Sequence, residues 1–347
     1  MIRRPSADDS ASGALRRRSV LLAAALAGAG LAGAGVSRCS GGGTASSSTN
    51  APTSPEGQPP GAASPVPTLP APVLWQPGPG EIEPAAKVAA VRLVEAFGTW
   101  PAGKGGVADR AARARALGIP AARAAMLATQ TGSLTPPADA AVVRVIDAQY
   151  GGILSDSASV LVVCSQTTRT GSTISDGGTT VDVRLSRTSA GWEVTALHPA
   201  RPGPARPLDA TQRKVLADAR IQLPPAAAAD VRSGLVHTEV LDAMLRLAGT
   251  YRMSVSVVRS GHPLDVFGTD RPSDHPLGRA FDVWRIDGHP VVDPATSRAL
   301  ITAFMRAAAA AGADNVGGPV QLSGGTVPNQ FFSDPTHHDH VHIGFHA

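Results

Sequence analysis

The chain has 347 residues, rich in Gly and Pro and poor in aromatics, with a formal net charge of +4. That length holds two ordinary domains, and the composition speaks for linkers and small-residue packing over one large core. Six Arg and two Asp within residues 1–38 account for the whole charge excess, so the basic balance does not point to a nucleic-acid partner.

Residues 1–38 read as a signal peptide. Arg16, Arg17 and Arg18 form a basic start, and Val20 to Ala34 is an apolar run too short and too Gly-rich for a comfortable membrane span. The order Arg17-Arg18-Ser19-Val20-Leu21 resembles a twin-arginine export signal. Val36-Ser37-Arg38-Cys39 resembles a bacterial lipobox, with Arg38 where a small residue is usual. The resemblance implies lipidation at Cys39, export, and a membrane contact through that anchor alone. With Cys39 lipidated, Cys164 is the one remaining thiol, which excludes an internal disulfide framework and a Cys-rich metal site. Residues 39–80 are Gly, Ser, Thr and Pro with almost no large apolar side chain, the composition of a disordered tether.

Residues 81–200 read as a first α+β domain. Val88, Val91, Leu93, Val94 and Phe97 recur at helical spacing over 84–100, and an Ala- and Arg-rich helix over 108–129 breaks near Gly118-Ile119-Pro120. The period then changes to that of strands at 141–146, 159–168, 179–189 and 191–197, with turns expected at Asp176-Gly177-Gly178 and Ser189-Ala190-Gly191. Helices followed by an antiparallel meander resemble the NTF2-like and cystatin-like modules found on exported lipoproteins. No catalytic constellation is visible there, and Cys164 reads as a small buried hydrophobe.

After Pro202-Gly203-Pro204, residues 205–347 form a second domain. Helices are expected at 209–221, 225–232 and 238–247, and a strand at 253–258. Eight of the ten His lie between His262 and His346, a concentration that suggests a metal or proton-transfer site. Ser273-Asp274-His275-Pro276-Leu277-Gly278-Arg279-Ala280-Phe281-Asp282 fits the pattern S-x-H-x-x-G-x-A-x-D, and His340-Val341-His342 follows. In 280–284 and 339–346, polar and apolar residues alternate as in strands with one face on a core. If those strands are neighbours, Asp282 and His342 project from one face and His275 arrives from the loop before. Two imidazoles and a carboxylate leave a fourth position open for water, as catalytic zinc requires. Asp287-Gly288 signals a tight hairpin turn.

These motifs resemble the LAS-type zinc metallopeptidases, the group of D-Ala-D-Ala carboxypeptidases and hedgehog-like domains. The likeness runs from about Val236 to the C-terminus. It implies Zn2+ held by His275, Asp282 and His342, and hydrolysis of peptidoglycan stem peptides by a carboxypeptidase or related endopeptidase at the cell envelope. His340 is the first candidate to orient water or carry a proton, and Asp339 the second, since a regular strand points it away from His342. Ser273 is a candidate to hold a substrate carboxylate or brace the ligand loop, and His337 and His338 are rim candidates. Ser260-Gly261-His262-Pro263 departs from the family's S-G-Y-R, with Pro263 in place of the Arg that holds the oxyanion. Arg259 and Arg271 are the candidate substitutes. The alternative reading is a non-catalytic, zinc-stabilised wall-binding or interaction domain.

Overall fold

The computed structural model describes residues 67–346. The expected export signal, Cys39 and the first part of the expected tether lie outside them. Among the described residues no helix is long and apolar enough to cross a membrane. Among the described residues, seven α-helices and two sheets make an α+β fold.

The first module is a meander of β1 (Ala140–Ile153), β2 (Ser157–Thr170), β3 (Thr173–Thr188) and β4 (Gly191–Pro199), paired in that order. One face is covered by α1 (Pro84–Gly98), α2 (Val107–Ala116) and α3 (Ala121–Leu127), which bury Val91, Val94, Phe97 and Leu127 against Val143, Val160 and Val183. The break between α2 and α3 falls at Gly118, whose φ of +85° suits a residue without a Cβ. The expected turn at Asp176-Gly177-Gly178 does not exist. Those residues lie inside β3, opposite Ser165 to Thr167, and the chain reverses near Gly171 instead. Gly178 is there because a Cβ would stand 2.2 Å from the Cys164 carbonyl oxygen, a close approach of two strands.

Residues 67–80 of the expected tether are described and lie against the protein. Trp75 packs on the first module's core and its amide donates to Glu95 at 2.7 Å, while Gly80 abuts the Val292 carbonyl. One large aromatic is enough to hold this stretch against the protein.

The second sheet is built from short strands in the order β10 (Phe331–Phe332), β9 (Asn315–Gly317), β11 (Val341–Gly344), β7 (Ala280–Ile286), β6 (Met253–Val255) and β5 (Ile221–Gln222), with β8 (His289–Pro290) paired to β7. Helices α4 (Ala210–Ala217), α5 (Pro225–Ser233), α6 (Thr238–Ala248) and α7 (Arg298–Ala310) accompany it. Asp287 (φ +51°) and Gly288 (φ +86°) make the expected turn between β7 and β8. The expected 209–221 helix stops at Ala217, because Ile221 is drawn into β5 beside Met253. The strand expected at 253–258 ends at Val255, and that expected at 339–346 runs only over Val341–Gly344.

One face of this sheet carries the core. Phe281, Val283, Val341, Ile343 and Phe345 pack there with Val240, Leu241 and Met244 of α6 and Phe304 and Met305 of α7. Asp282 and His342 necessarily face the other way. The other face lies against the first module, where Val257 packs with Leu161 and Val163.

Candidate metal centre

β7 and β11 are antiparallel neighbours, and His342 sits directly opposite Asp282 in their register. On its other side His342 faces Gly317 of β9. A side chain at Gly317 would strike the rings of Phe332 and His337, which pack beside His342 at centroid distances of 6.3 and 5.7 Å. His275 enters from the turn before β7. That turn closes through the Gly278 amide to the His275 carbonyl at 2.8 Å. Gly278 has φ +75°, and a Cβ there would lie 2.1 Å from the Leu235 carbonyl oxygen, so the motif's glycine is needed twice over.

Three donor atoms converge. His275 Nε2 lies 3.1 Å from Asp282 Oδ1 and 3.1 Å from His342 Nδ1, and His342 Nδ1 lies 3.0 Å from Asp282 Oδ1. A tetrahedral ion with bonds near 2.0–2.1 Å has ligand–ligand edges of about 3.3 Å, so the triangle is close to the size such an ion needs. The donor set fits as well. His275 Nδ1–H donates to the Val258 carbonyl at 2.8 Å, which leaves the Nε2 lone pair turned inward. Three polar atoms this close could hold a cation between them or share protons.

Burial opposes charge at Asp282, but His275 and His340 outweigh it and hold the carboxyl well below its usual range. Burial likewise opposes protonation of His275, but Asp282 outweighs it and raises the imidazole, so an ion entering the site would have to displace a proton there. At His342 burial wins and lowers the imidazole to about 4, so it is neutral near pH 7 and free to ligate.

His340 enters the same site from the start of β11. Its Nδ1–H donates to Asp339 Oδ1 at 2.6 Å, and its Nε2 points inward, 3.8 Å from Asp282 Oδ2. Asp339 leaves the strand conformation, with φ −105° and ψ −4°. The bend does not bring Asp339 to the cleft. Its carboxylate stands behind His340 and accepts from Lys87 Nζ at 2.6 Å and the Tyr150 amide at 3.1 Å. Asp339 is therefore placed to orient His340, not to meet a substrate.

A cleft of 420 Å³ opens over the centre, lined among others by Tyr150, Arg271, Ser273, His275, His340 and His342. Ser273 is buried with its Oγ 3.3 Å from His262 Nδ1, so it braces the wall. Arg259 is not brought to the centre. Its Nη1 lies 3.4 Å from the Pro202 carbonyl and its amide donates to Asp230, on an adjoining cavity. Arg271 does line the cleft. His337 lines it too, held by Asp334 at 2.8 Å, while His338 turns toward the Ile82 amide at 3.2 Å. His346 is exposed at the chain end.

Sequence reasoning missed His262. Its ring stacks on His275 at a centroid distance of 4.1 Å, and it offers a third ligand atom near those of His275 and Asp282. Burial, then His275, hold it well below the usual imidazole range, so it is neutral. Its place in Ser260-Gly261-His262-Pro263 marked a departure from a pattern, and only the tertiary stack shows what the departure brings. No family model matches the chain, and neither a curated protein nor a solved structure matches it.

Proposed function

We propose that the protein is a zinc-dependent peptidase of the LAS type, acting on peptidoglycan stem peptides at the cell envelope. The observation that carries this reading is the triangle of His275, Asp282 and His342 donors, 3.0–3.1 Å apart, beneath an open cleft. Bound there, zinc would acidify a water and polarise a peptide carbonyl. The protein's own part is to present that water's neighbour. His340, fixed by Asp339, turns its second nitrogen to the centre without being a ligand, and it is the group to move a proton. Arg271 at the cleft wall is the cation available to a substrate carboxylate or oxyanion. Export and lipid attachment at Cys39 suit a substrate in the wall and are part of the same reading.

A second reading has one observation in its favour. Pro263 stands where the resemblance calls for Arg, and Arg259 is turned to another cavity. A zinc-stabilised wall-binding domain needs no such cation. Incubating the full chain with purified stem peptides, with and without chelator, separates the two. The peptidase reading expects about one zinc per chain and chelator-sensitive product release, lost in His340→Ala with zinc retained. Zinc without cleavage of any stem peptide supports the binding domain, and a chain that takes up no zinc sinks both.

A further inference from the structure

The first module does more than sit beside the centre. Its strand β1 begins with Val143 and Val145 facing the helices, and ends with Ala148 and Tyr150 facing them. The parity changes because the register slips between Val145 and Asp147, a bulge at Ile146. Without that extra residue, position 149 would point into the module's own core. With it, Gln149 points out, fully buried, into the second module.

There Gln149 Nε2–H donates to Asp282 Oδ2 at 2.6 Å. Its Oε1 accepts from Ser256 Oγ, which fixes the amide's orientation. Asp282 thus offers Oδ1 to the donor triangle while Oδ2 is held by the other module. A second tie lies close by. Lys87 of α1 is completely buried and bonded to both Glu81 and Asp339, and the Tyr150 amide shares the same Asp339 oxygen. That carboxylate in turn orients His340. A buried ammonium and a buried amide, both from the first module, therefore end on the two acidic groups that shape the centre.

We infer that the first module is a working part of the metal centre, with Gln149 positioning Asp282 and Lys87 positioning the Asp339–His340 pair, an inference that rests on the metal reading above. Partners behind the ligands govern metal affinity by ~10- to 100-fold when removed. The module's strand bulge aims one amide at one carboxylate.

The test uses the full-length chain, with zinc affinity by competition titration and Co2+ absorption as a reporter of coordination. Gln149→Leu, which keeps volume and removes the donor, is expected to weaken zinc binding by ~10- to 100-fold and shift the Co2+ bands. Lys87→Met is expected to keep zinc and lower kcat on a stem peptide by at least ~10-fold with KM unchanged. Leu127→Ala, a cavity in the first module's core far from either tie, lowers Tm but leaves affinity and spectrum as in the wild type. Wild-type affinity and spectrum in Gln149→Leu, or an equal loss in Leu127→Ala, would overturn the inference while the metal reading stands. A wild-type chain that takes up neither ion would sink the metal reading, and this inference with it.

Discussion

The two sheets differ in how they spend their residues. The first is a meander whose strands β1 to β3 run 14, 14 and 16 residues, and its core is almost wholly Val, Leu and Ala with aromatic fill. The second has strands of two to seven residues joined by long turns. It buries His275, Asp282, Asp339, His340 and His342 at 7% exposure or less. Burying so many ionisable groups costs free energy unless each is paired or ligates a cation. The first sheet supplies most of the long, apolar packing, and the second holds the buried polar arrangement. The ties through Gln149 and Lys87 are where the first steadies the second.

The largest effects should come from separating those roles. Asp282→Ala removes a donor of the triangle and should abolish stoichiometric zinc binding, a loss greater than the ~10- to 100-fold expected of any outer partner. Losing that carboxylate leaves the Gln149 amide and the His275 imidazole without their partner, so Tm should fall too while the helices and strands remain. Metal analysis and a far-UV spectrum on one sample check both halves. Zinc retained at full stoichiometry would show that the two His and His262 suffice, and the contrast between the sheets would lose its basis.

A pair of glycines sharpens the comparison at the next scale. Gly178 and Gly278 each sit where a Cβ would meet a backbone carbonyl oxygen, at 2.2 and 2.1 Å, and both have positive φ. Alanine at either position should cost roughly 3 kcal/mol or more through strain and displaced backbone. The consequences should differ. Gly178→Ala opens the β2–β3 pairing and should lower Tm while metal affinity holds. Gly278→Ala shifts the turn that carries His275 and should weaken zinc binding along with Tm. Thermal melts with and without zinc distinguish them, and equal zinc affinity in the two variants would refute the division.

Much of this centre was legible in the sequence because strand periodicity fixes directions. Alternation in 280–284 and after 340 was enough to set Asp282 and His342 on one face, and the register then placed them opposite each other. The long helices and strands of the first module were legible for the same reason. What was not legible depended on contacts between distant residues. Gly178 carries turn chemistry, but its glycine serves a close strand approach. β9 and β10 are three and two residues long, too short for any period. α7 did carry a signal, the Ser297 cap and Ile301, Phe304, Met305 and Ala308 at helical spacing. Gln149 was hidden because a bulge reverses the alternation that would otherwise assign it to the core.

The smallest effect concerns Asp147, beside the second tie. Its Oδ2 is shut off from water and has no hydrogen-bond partner among the described residues. Burial raises its carboxyl to about 7, against the pull of Lys87 and His340 and with the push of Asp339 and Glu81. In the unfolded chain the same carboxyl titrates near its ordinary value of 3.8. Between those two values the folded protein holds a proton that the unfolded chain has released, so stability falls as pH rises through that window and levels off above 7. Asp147→Asn is neutral throughout. It should match the wild type near pH 4 and exceed it at pH 8, by on the order of 1–2 kcal/mol because the residue is only half-buried. Denaturant melts at the two pH values measure the difference directly. A variant less stable than wild type at pH 8 would mean that the ionised carboxylate is needed beside Lys87, and that the cluster around Asp339 contains one more working anion than its hydrogen bonds display.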